Sequence, residues 1–304
     1  MKKSLILSTY NGNKYIFQML ESIRNQTIEF DEVLISDDCS TDDTYSIVSN
    51  YIDRYRLNWI NKKNEHNKGW RQNFVDLLMS TTGDIIFFAD QDDYWLKNKV
   101  EVMVDIVKKK KEILLLASDI CKFKEDEWIN NHKEDSIPTG EINIYQPQIE
   151  KTIMNISKPG CTYCVRGEIR ELVEKYYVDG LPHDAFCWRI ALLLNRLYLM
   201  NEYSIYYRVH SNNASKRKKP SCQLRIDDLE YYKLVFDSCN KLTSSEGLKC
   251  AEKTINRLKK YIDLRSGLII NRKLLNALPL IGYRDYYYSW GSYVNDILIS
   301  ITQK

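Results

Sequence analysis

Residues 84–93 read DIIFFADQDD, and this stretch decides the fold. A short apolar run rich in β-branched and aromatic residues predicts a strand buried on both faces, and the acidic residues end it. The stretch EVLISDD at 32–38 has the same form, so two buried strands each end in carboxylates. Longer segments with helical spacing separate such strands, which predicts a parallel sheet covered by helices on both faces.

The same alternation extends outward along the chain. The predicted strands lie at 4–9, 32–38, 57–62, 84–90, 113–120 and 159–166, with two more within 198–210. The predicted helices lie at 15–26, 45–52, 70–81, 98–110, 168–177 and 183–194. Residues 124–158 are polar with scattered aromatics, which is typical of a long loop or short helices beside a site.

A run of basic residues at 216–219, KRKK, is followed by Pro220 and marks a boundary. Repulsion between the charges and the restricted backbone of proline disfavour a continuous helix here. Beyond it, apolar residues recur at helical spacing to the end of the chain. The sequence therefore predicts an α/β domain at 1–215 and a mainly helical region at 216–304.

Composition excludes several protein classes. The chain has 304 residues, of which 44% are hydrophobic and 28% charged, with 11 Gly and 6 Pro, so it is neither collagen-like nor wholly disordered. Mean hydropathy is −0.45, and no apolar run reaches the length of a membrane span. The first residues, MKKSLILSTYNG, become polar too soon for a signal peptide, so we expect a cytoplasmic protein.

The net charge of +3 is unevenly distributed. Residues 216–304 contain 17 Lys and Arg against 9 Asp and Glu, whereas residues 1–215 contain 27 against 32. A basic tail suits phosphates on a membrane surface, a lipid carrier or nucleic acid, and it also suits a solvated helical surface.

The eight cysteines are too sparse for a disulfide scaffold, and we expect reduced thiols. Cys161 and Cys164 have CxxC spacing, but no second pair completes a zinc site, and the residues around them alternate like a strand.

The carboxylates of DQDD and of Asp37 and Asp38 follow strand ends, where open α/β sheets bind ligands. Clustered carboxylates repel one another unless a cation intervenes, and oxygen ligands favour Mg²⁺ or Mn²⁺. A capped turn before the next helix is the alternative. The chain contains neither GxGxxG nor GxxxxGK[ST], so a bound nucleotide must be held by side chains rather than by a glycine-rich loop.

Seven motifs in order resemble glycosyltransferase family 2, the inverting nucleotide-sugar transferases with a GT-A fold. They are STYN at 8–11, DDCSTD at 37–42, NKG at 67–69 with Asn73, DQDD at 90–93, GCTYCV at 160–165, HD at 183–184 and YRVH at 207–210. The set is most similar to the rhamnosyltransferase-like branch. The resemblance implies a Rossmann-like, mostly parallel sheet followed by the helical region.

The resemblance also implies a role for individual residues. Those expected to bind the nucleotide sugar are Ser8, Tyr10, Asp38, Gly69, Asn73, Asp90 and Gln91. Asp92 and His210 are expected to ligate Mn²⁺ or Mg²⁺, and the histidine favours Mn²⁺ somewhat. An ordinary histidine at a strand end is the alternative for His210.

Asp184 is the expected catalytic base, because one-step inversion needs a carboxylate that removes the proton of the attacking hydroxyl. A helix cap is its alternative role. Trp188 lies one helical turn later, either as a stacking surface for a sugar or as core packing, and His183 is expected to orient a sugar or phosphate or to cap the helix.

The function expected from these residues is metal-dependent, inverting transfer of a sugar to a polysaccharide or lipid-linked glycan of the cell envelope. The family branch favours dTDP-rhamnose, whereas UDP-glucose, UDP-galactose and N-acetylhexosamine donors suit the same scaffold. Peripheral contact with the inner membrane surface and a homo-oligomer are further expectations, and no nucleic acid partner is expected. A catalytically inactive binding module and a nucleotidyltransferase are the competing classes.

Overall fold

The computed structural model describes residues 1–124, 135–138, 140–210 and 221–302. Within these ranges the chain forms one mixed sheet with helices on both faces, followed by C-terminal helices. The strands are β1 (Lys3–Thr9), β2 (Glu32–Asp37), β3 (Ile60–Lys63), β4 (Ile85–Asp90), β5 (Tyr94–Trp95), β6 (Leu115–Lys124), β7 (Ile144–Tyr145), β8 (Tyr163–Arg166) and β9 (Leu197–Val209).

The α-helices cover both faces of the sheet and make up most of the C-terminal region. They are α1 (Ile16–Arg24), α2 (Thr44–Tyr55), α3 (Trp70–Ser80), α4 (Lys99–Lys109), α5 (Ile149–Thr152), α6 (Ile169–Tyr176), α7 (His183–Leu193), α8 (Cys222–Ser245), α9 (Lys249–Ile269), α10 (Ala277–Leu280) and α11 (Trp290–Thr302). Short 3₁₀ helices lie at Gly160–Thr162, Leu274–Asn276 and Ile281–Tyr286.

The strand order is β3-β2-β1-β4-β8-β6-β9-β5, with β7 paired to β9. The first four strands in this order are parallel, as predicted, and β9 is parallel to β6. Strand β8 runs antiparallel between β4 and β6, and the short strands β5 and β7 run antiparallel to β9. The predicted α/β fold class is confirmed, and the sheet is mixed beyond β4.

The two strands predicted within 198–210 are one continuous strand, β9. The polar pair Asn201 and Glu202 interrupts the apolar pattern, which made the segment read as two strands. The pairing with β6 shifts register near Asp119 instead of breaking, and such an irregularity bends a strand without ending it. The bend carries the end of β9 past β5, directly after DQDD.

Alternation along the central strands builds two hydrophobic cores. Leu5 and Leu7 of β1 face α1, α2 and α4, whereas Ile6 faces the core that contains α3, α6 and α7. Residues of α8 and α9, such as Val235 and Leu258, belong to that second core. The C-terminal helices therefore pack directly against the helices that cover the sheet.

The predicted boundary between residues 215 and 216, with the basic run Lys216–Lys219, lies outside the described residues. None of the helices that the structure describes combines the length and apolar character needed to cross a bilayer.

Candidate active site

The carboxyl ends of β1, β2 and β4 bring the predicted site residues to one edge of the sheet. Ser8 of β1 is in register with Ser36 of β2 on one side and with Asp90 of β4 on the other. Loops that follow these strand ends carry Tyr10, Asp38 and the rest of DQDD. A crevice at this edge is where open α/β sheets bind their ligands.

Asn73 of α3 joins the strands behind this edge. Its Nδ2 donates to Ser8 Oγ at 2.8 Å and to the Ser36 carbonyl at 2.9 Å, while its Oδ1 accepts from Ser36 Oγ at 2.6 Å and from Asn64 Nδ2 at 2.9 Å. These four bonds use the full capacity of the amide, and the side chain is 1% exposed. Asn73, which was expected to complete the nucleotide wall, therefore supports that wall from behind.

Asp38 anchors the loop that leads into α3. Its Oδ1 accepts from Asn64 Nδ2 at 2.9 Å and from the Lys68 backbone N–H at 2.8 Å, and its Oδ2 accepts from the Gly69 N–H at 2.8 Å. Asp38 is 1% exposed, so these three bonds make its carboxylate a support of this loop. Gly69 has φ +83°, a conformation that favours glycine, and a Cβ there would meet nothing within 4 Å.

Gln91 fixes the loop that carries Tyr10. The Tyr10 N–H donates to Gln91 Oε1, and Gln91 Nε2 donates to the Tyr10 carbonyl, both at 2.9 Å. Gln91 also lies against Gly12, where a Cβ would come within 2.2 Å of Oε1. The Gln91 amide is thus hydrogen-bonded to the backbone of Tyr10, while the Tyr10 side chain is 46% exposed and can contact a ligand.

The two predicted metal ligands are in direct contact. His210 Nε2 lies 2.7 Å from Asp92 Oδ2, and the imidazole packs against the Tyr15 ring at a centroid distance of 5.0 Å. An adjacent carboxylate and imidazole are a suitable pair of ligands for Mn²⁺ or Mg²⁺, with the nitrogen favouring Mn²⁺. The residues therefore fit the expected divalent cation.

Negative charge accumulates beside this pair. Burial, together with the charges of Asp92 and Asp184, raises the pKa of Asp90 to about 7. A cation bound at Asp92 and His210 would relieve this repulsion.

Arg208, which the sequence analysis did not select, holds DQDD in place. Its backbone N–H donates to Asp93 Oδ1 at 3.1 Å, and its Nε donates to the Asp92 carbonyl at 2.8 Å. The guanidinium also lies 4.7 Å from the centre of the Tyr15 ring. Arg208 lies near the end of β9 and His210 directly follows the strand, so β9 holds the loop through Arg208 and brings His210 to Asp92.

A second missed residue is Lys99, the first residue of α4. Its ammonium is fully buried, donates to the Cys161 carbonyl at 2.7 Å and lies 3.6 Å from the centre of the Trp95 ring. Burial lowers its pKa to about 7, while the nearby carboxylates of Asp93 and Asp90 oppose that shift. Its place after DQDDYWLKN looks like an ordinary helix start, so spacing alone does not reveal it.

Among the described residues, Asp90, Asp93 and Cys161 present ligand atoms within 4.8 Å of one another. Burial raises the pKa of the Cys161 thiol well above its usual range, and a protonated thiol is a poor metal ligand. Lys99 already supplies positive charge to this cluster. We therefore interpret it as the support beneath DQDD, with the metal expected on the side of Asp92 and His210.

Asp184 stands at the start of α7, where its Oδ1 accepts the Ala185 N–H at 2.7 Å. It faces Gly160, where a Cβ would lie 2.7 Å from the Asp184 Cβ and 3.2 Å from its Oδ2. The charge of Asp184 contributes to the raised pKa of Asp90, so the expected base lies near the expected metal site. Its other oxygen is directed toward Gly160.

The two expected sugar contacts beside Asp184 are wrong. Trp188 is fully buried, stacks on Tyr163 and donates through Nε1 to the Thr152 carbonyl at 3.2 Å, so it is core packing. His183 is 5% exposed and stacks on Phe74 with a centroid distance of 4.0 Å. Burial lowers the pKa of His183 to about 4, so the imidazole is neutral near pH 7.

Trp70 provides the exposed aromatic surface that Trp188 lacks. It is 42% exposed, lies at the start of α3 directly after Gly69, and its ring centre is 6.1 Å from that of His183. Arg71 covers the ring with its guanidinium at 5.4 Å and donates to the Gly180 carbonyl. Trp70 thus lies between the Asp38 wall and the start of α7.

Comparison with known proteins agrees with this geometry. The model of Glycosyl transferase family 2 matches residues 4–177, more than half of the chain. The dTDP-rhamnosyl transferase RfbG of Shigella flexneri is 27% identical over 224 residues, which cover 68% of this chain and 72% of RfbG. The poly(ribitol-phosphate) β-N-acetylglucosaminyltransferase TarS of Staphylococcus aureus is 41% identical over 98 residues, covering 31% of this chain and 17% of TarS.

Solved structures share the fold. The S. aureus TarS fragment 1–349 in complex with UDP-GlcNAc superimposes with a TM-score of 0.62 at 20% identity, covering 98% of this chain and 82% of that one. The mannosyltransferase PcManGT from Pyrobaculum calidifontis, in complex with GDP-Man and Mn²⁺, gives 0.53 at 15% identity, with 100% and 88% covered. Because the family model matches more than half of its length, the chain belongs to glycosyl transferase family 2 and is a glycosyltransferase.

Proposed function

We propose that the protein transfers a sugar, with rhamnose from dTDP-rhamnose as the first choice, to a hydroxyl of a polysaccharide or lipid-linked glycan at the cytoplasmic side of the cell envelope. One observation carries the proposal: His210 contacts Asp92 at the edge of the sheet where the nucleotide wall ends, and the charges of Asp92 and Asp184 both act on Asp90 there. The relative named dTDP-rhamnosyl transferase supports the choice of donor.

The chain supplies three elements for this reaction. We expect Tyr10 to contact the base beside the loop that Asp38 anchors, and Trp70 offers a ring surface on which a sugar can stack. Asp92 and His210 hold a divalent cation, which when bound neutralises the charge of the donor diphosphate.

Asp184 acts as the general base. Asp184 takes the proton of the acceptor hydroxyl while the hydroxyl oxygen forms a bond to the anomeric carbon of the donor sugar. At the same time the bond between the anomeric carbon and the diphosphate oxygen breaks, and its electron pair leaves with the nucleoside diphosphate. Attack from the face opposite the leaving group inverts the anomeric centre. The contact with Gly160 and the Ala185 N–H fixes the carboxylate in one orientation, which limits the entropy lost at the reaction step.

A donor screen tests the proposal. The protein is incubated with dTDP-rhamnose, UDP-glucose, UDP-galactose or UDP-GlcNAc, with Mn²⁺ or EDTA, and nucleoside diphosphate release and thermal stabilisation are measured. We expect one donor to be bound and slowly hydrolysed only with metal. Asp184→Asn should keep donor binding but lower release about 10²–10⁴-fold.

Asp179→Asn is the matched control, since it makes the same chemical change on an exposed residue of the loop before α7. Equal release by Asp184→Asn and the control would contradict the role of the base. Release of pyrophosphate would indicate a nucleotidyltransferase, and the absence of any donor response would favour an inactive binding module. Preference for a UDP-sugar would keep the mechanism and replace the donor.

A further inference from the structure

Helix α11 packs Tyr293 and Ile297 against the core, but it also buries two polar residues and exposes a row of apolar ones. Asp296 and Ser300 are buried, whereas the opposite face is apolar and exposed. That face consists of Trp290 (56% exposed), Val294 (47%), Leu298 (51%) and Ile301 (59%). A helix on the surface of a water-soluble domain normally has the reverse arrangement.

Buried ion pairs fix this orientation. Asp296 lies 2.7 Å from Arg265 Nε and 3.2 Å from Arg225 Nε, and all three side chains are buried. Ser300 Oγ donates to the Asp296 carbonyl at 2.6 Å. Rotating α11 to bury its apolar face would take Asp296 away from the two buried arginines and leave them Asp228 as carboxylate partner, which is unfavourable.

A second exposed apolar segment adjoins α11. Leu274, Leu275, Leu278 and Ile281 are 48%, 81%, 69% and 47% exposed. The hydroxyl of Tyr293 in α11 donates to the Ala277 carbonyl at 3.0 Å, which holds the segment beside the helix. We call the eight exposed residues of the two segments the apolar surface. Apolar patches of this kind mark sites of interaction with protein or membrane.

Basic residues border the apolar surface. Arg272 and Lys273 are exposed and directly precede Leu274. Arg257 of α9 donates to the Gly282 carbonyl, next to Ile281, and Lys253 and Lys260 lie on the same stripe of α9 at helical spacing.

A cleft of about 220 Å³ near the start of α11 is lined by residues that include Arg284, Tyr288 and Trp290. The edge of the apolar surface therefore combines basic residues with aromatic rings, as at membrane interfaces, and Arg284 there pairs with Asp285 at 3.5 Å.

We propose that the apolar surface docks the protein on a bilayer of anionic phospholipids. The apolar side chains would enter the boundary between headgroups and acyl chains, and the basic border would contact lipid phosphates. A symmetric contact with a second copy would bring the same basic border from both copies together, so charge favours the lipid surface.

A hydrogen bond and a short segment of chain connect the region of the apolar surface to the active site. Asn155 Nδ2 donates to the Asp285 carbonyl at 2.9 Å, and the chain from Asn155 leads in five residues to Gly160, which touches Asp184. Docking would thus hold the base close to the bilayer, where a lipid-linked acceptor resides. This benefit rests on the proposed function, whereas docking itself requires no sugar transfer.

Vesicle sedimentation tests the proposal on the full chain without any donor. We expect the protein to bind vesicles rich in phosphatidylglycerol, and to bind phosphatidylcholine vesicles weakly. Leu298→Glu and Leu275→Glu should each weaken binding at least about tenfold, since each places a charge where an apolar side chain enters the bilayer. Arg272→Gln combined with Lys273→Gln should weaken binding about 25-fold, at about fivefold per basic residue.

Met79→Glu is the matched control, because Met79 is a 40% exposed apolar residue of α3 in the transferase domain. Circular dichroism verifies that each variant is folded. The proposal is overturned if the wild type binds no vesicles or if Met79→Glu weakens binding as much as Leu298→Glu. A wild-type dimer that Leu298→Glu converts to a monomer, without vesicle binding, would assign the surface to a second copy. Donor hydrolysis measured on the same variants separates failure of docking from failure of the transferase proposal.

Discussion

Replacing Gly160 by alanine should displace the catalytic base while leaving the donor site intact. The added Cβ would lie 2.7 Å from the Asp184 Cβ, whereas apolar carbons in contact are usually about 3.5–4.0 Å apart. Gly160 is buried, and Asp184 starts a helix packed in the core, so relief requires a shift of about 1 Å between them. A misplacement of this size can lower the rate about 10²-fold, and overpacking costs about 1–3 kcal/mol of stability.

The assay compares turnover of the preferred donor with the affinity for its nucleoside diphosphate. For Gly160→Ala we expect turnover to fall about 10²-fold and nucleotide affinity to change little, because Tyr10 and Asp38 lie on other elements. Gly282→Ala is the control, since a Cβ there meets nothing within 4 Å and its φ is ordinary. Full turnover by a folded Gly160→Ala protein would refute the claim that this contact positions the base.

Three further predictions concern stability and metal binding. Burial lowers the pKa of His183 from 6.5 to about 4. Between these pH values the unfolded chain therefore binds more protons than the folded protein. The free energy of unfolding should fall by about 3 kcal/mol as the pH drops from 6.5 to 4. His183→Phe should remove that part of the pH dependence, and equal urea midpoint shifts in both proteins would contradict it. Asp296→Asn should lower the free energy of unfolding by about 3–5 kcal/mol because it leaves Arg265 charged and buried, whereas the exposed Asp237→Asn should have little effect in the same denaturation assay. His210→Ala should raise the Mn²⁺ concentration for half-maximal donor hydrolysis at least about tenfold, and an unchanged metal titration would exclude His210 as a ligand.

The sequence was most informative where a residue's role depends on its place at a strand end. The alternation of buried strands and helices predicted the parallel part of the sheet. The motifs predicted that Asp92 and His210 lie together, although they are 118 positions apart in the sequence. Strand β8 was predicted as a strand, but its antiparallel direction was not, because a short run such as YCVR carries no signal of direction.

Side-chain exposure could not be predicted from spacing. Trp188 and Asp184 are one helical turn apart, yet α7 is buried on nearly all sides, so the tryptophan lies in the core. Spacing did not decide whether Trp70 lies near the nucleotide, and Lys99 was missed, because both positions depend on which helix start faces the sheet edge. Gly160 matters through contact with a residue distant in sequence, which local patterns do not show.

The pairing of Asp92 with His210 has a consequence for the newly made chain. Residues 8–73 contain the parts of the nucleotide wall described above, and these have left the ribosome long before β9 is made. At about 5–20 residues per second, the 118 residues between Asp92 and His210 take about 6–24 s to synthesise. During that interval neither Arg208, which holds DQDD, nor His210, which pairs with Asp92, has been made, so the metal site is completed only after the end of β9.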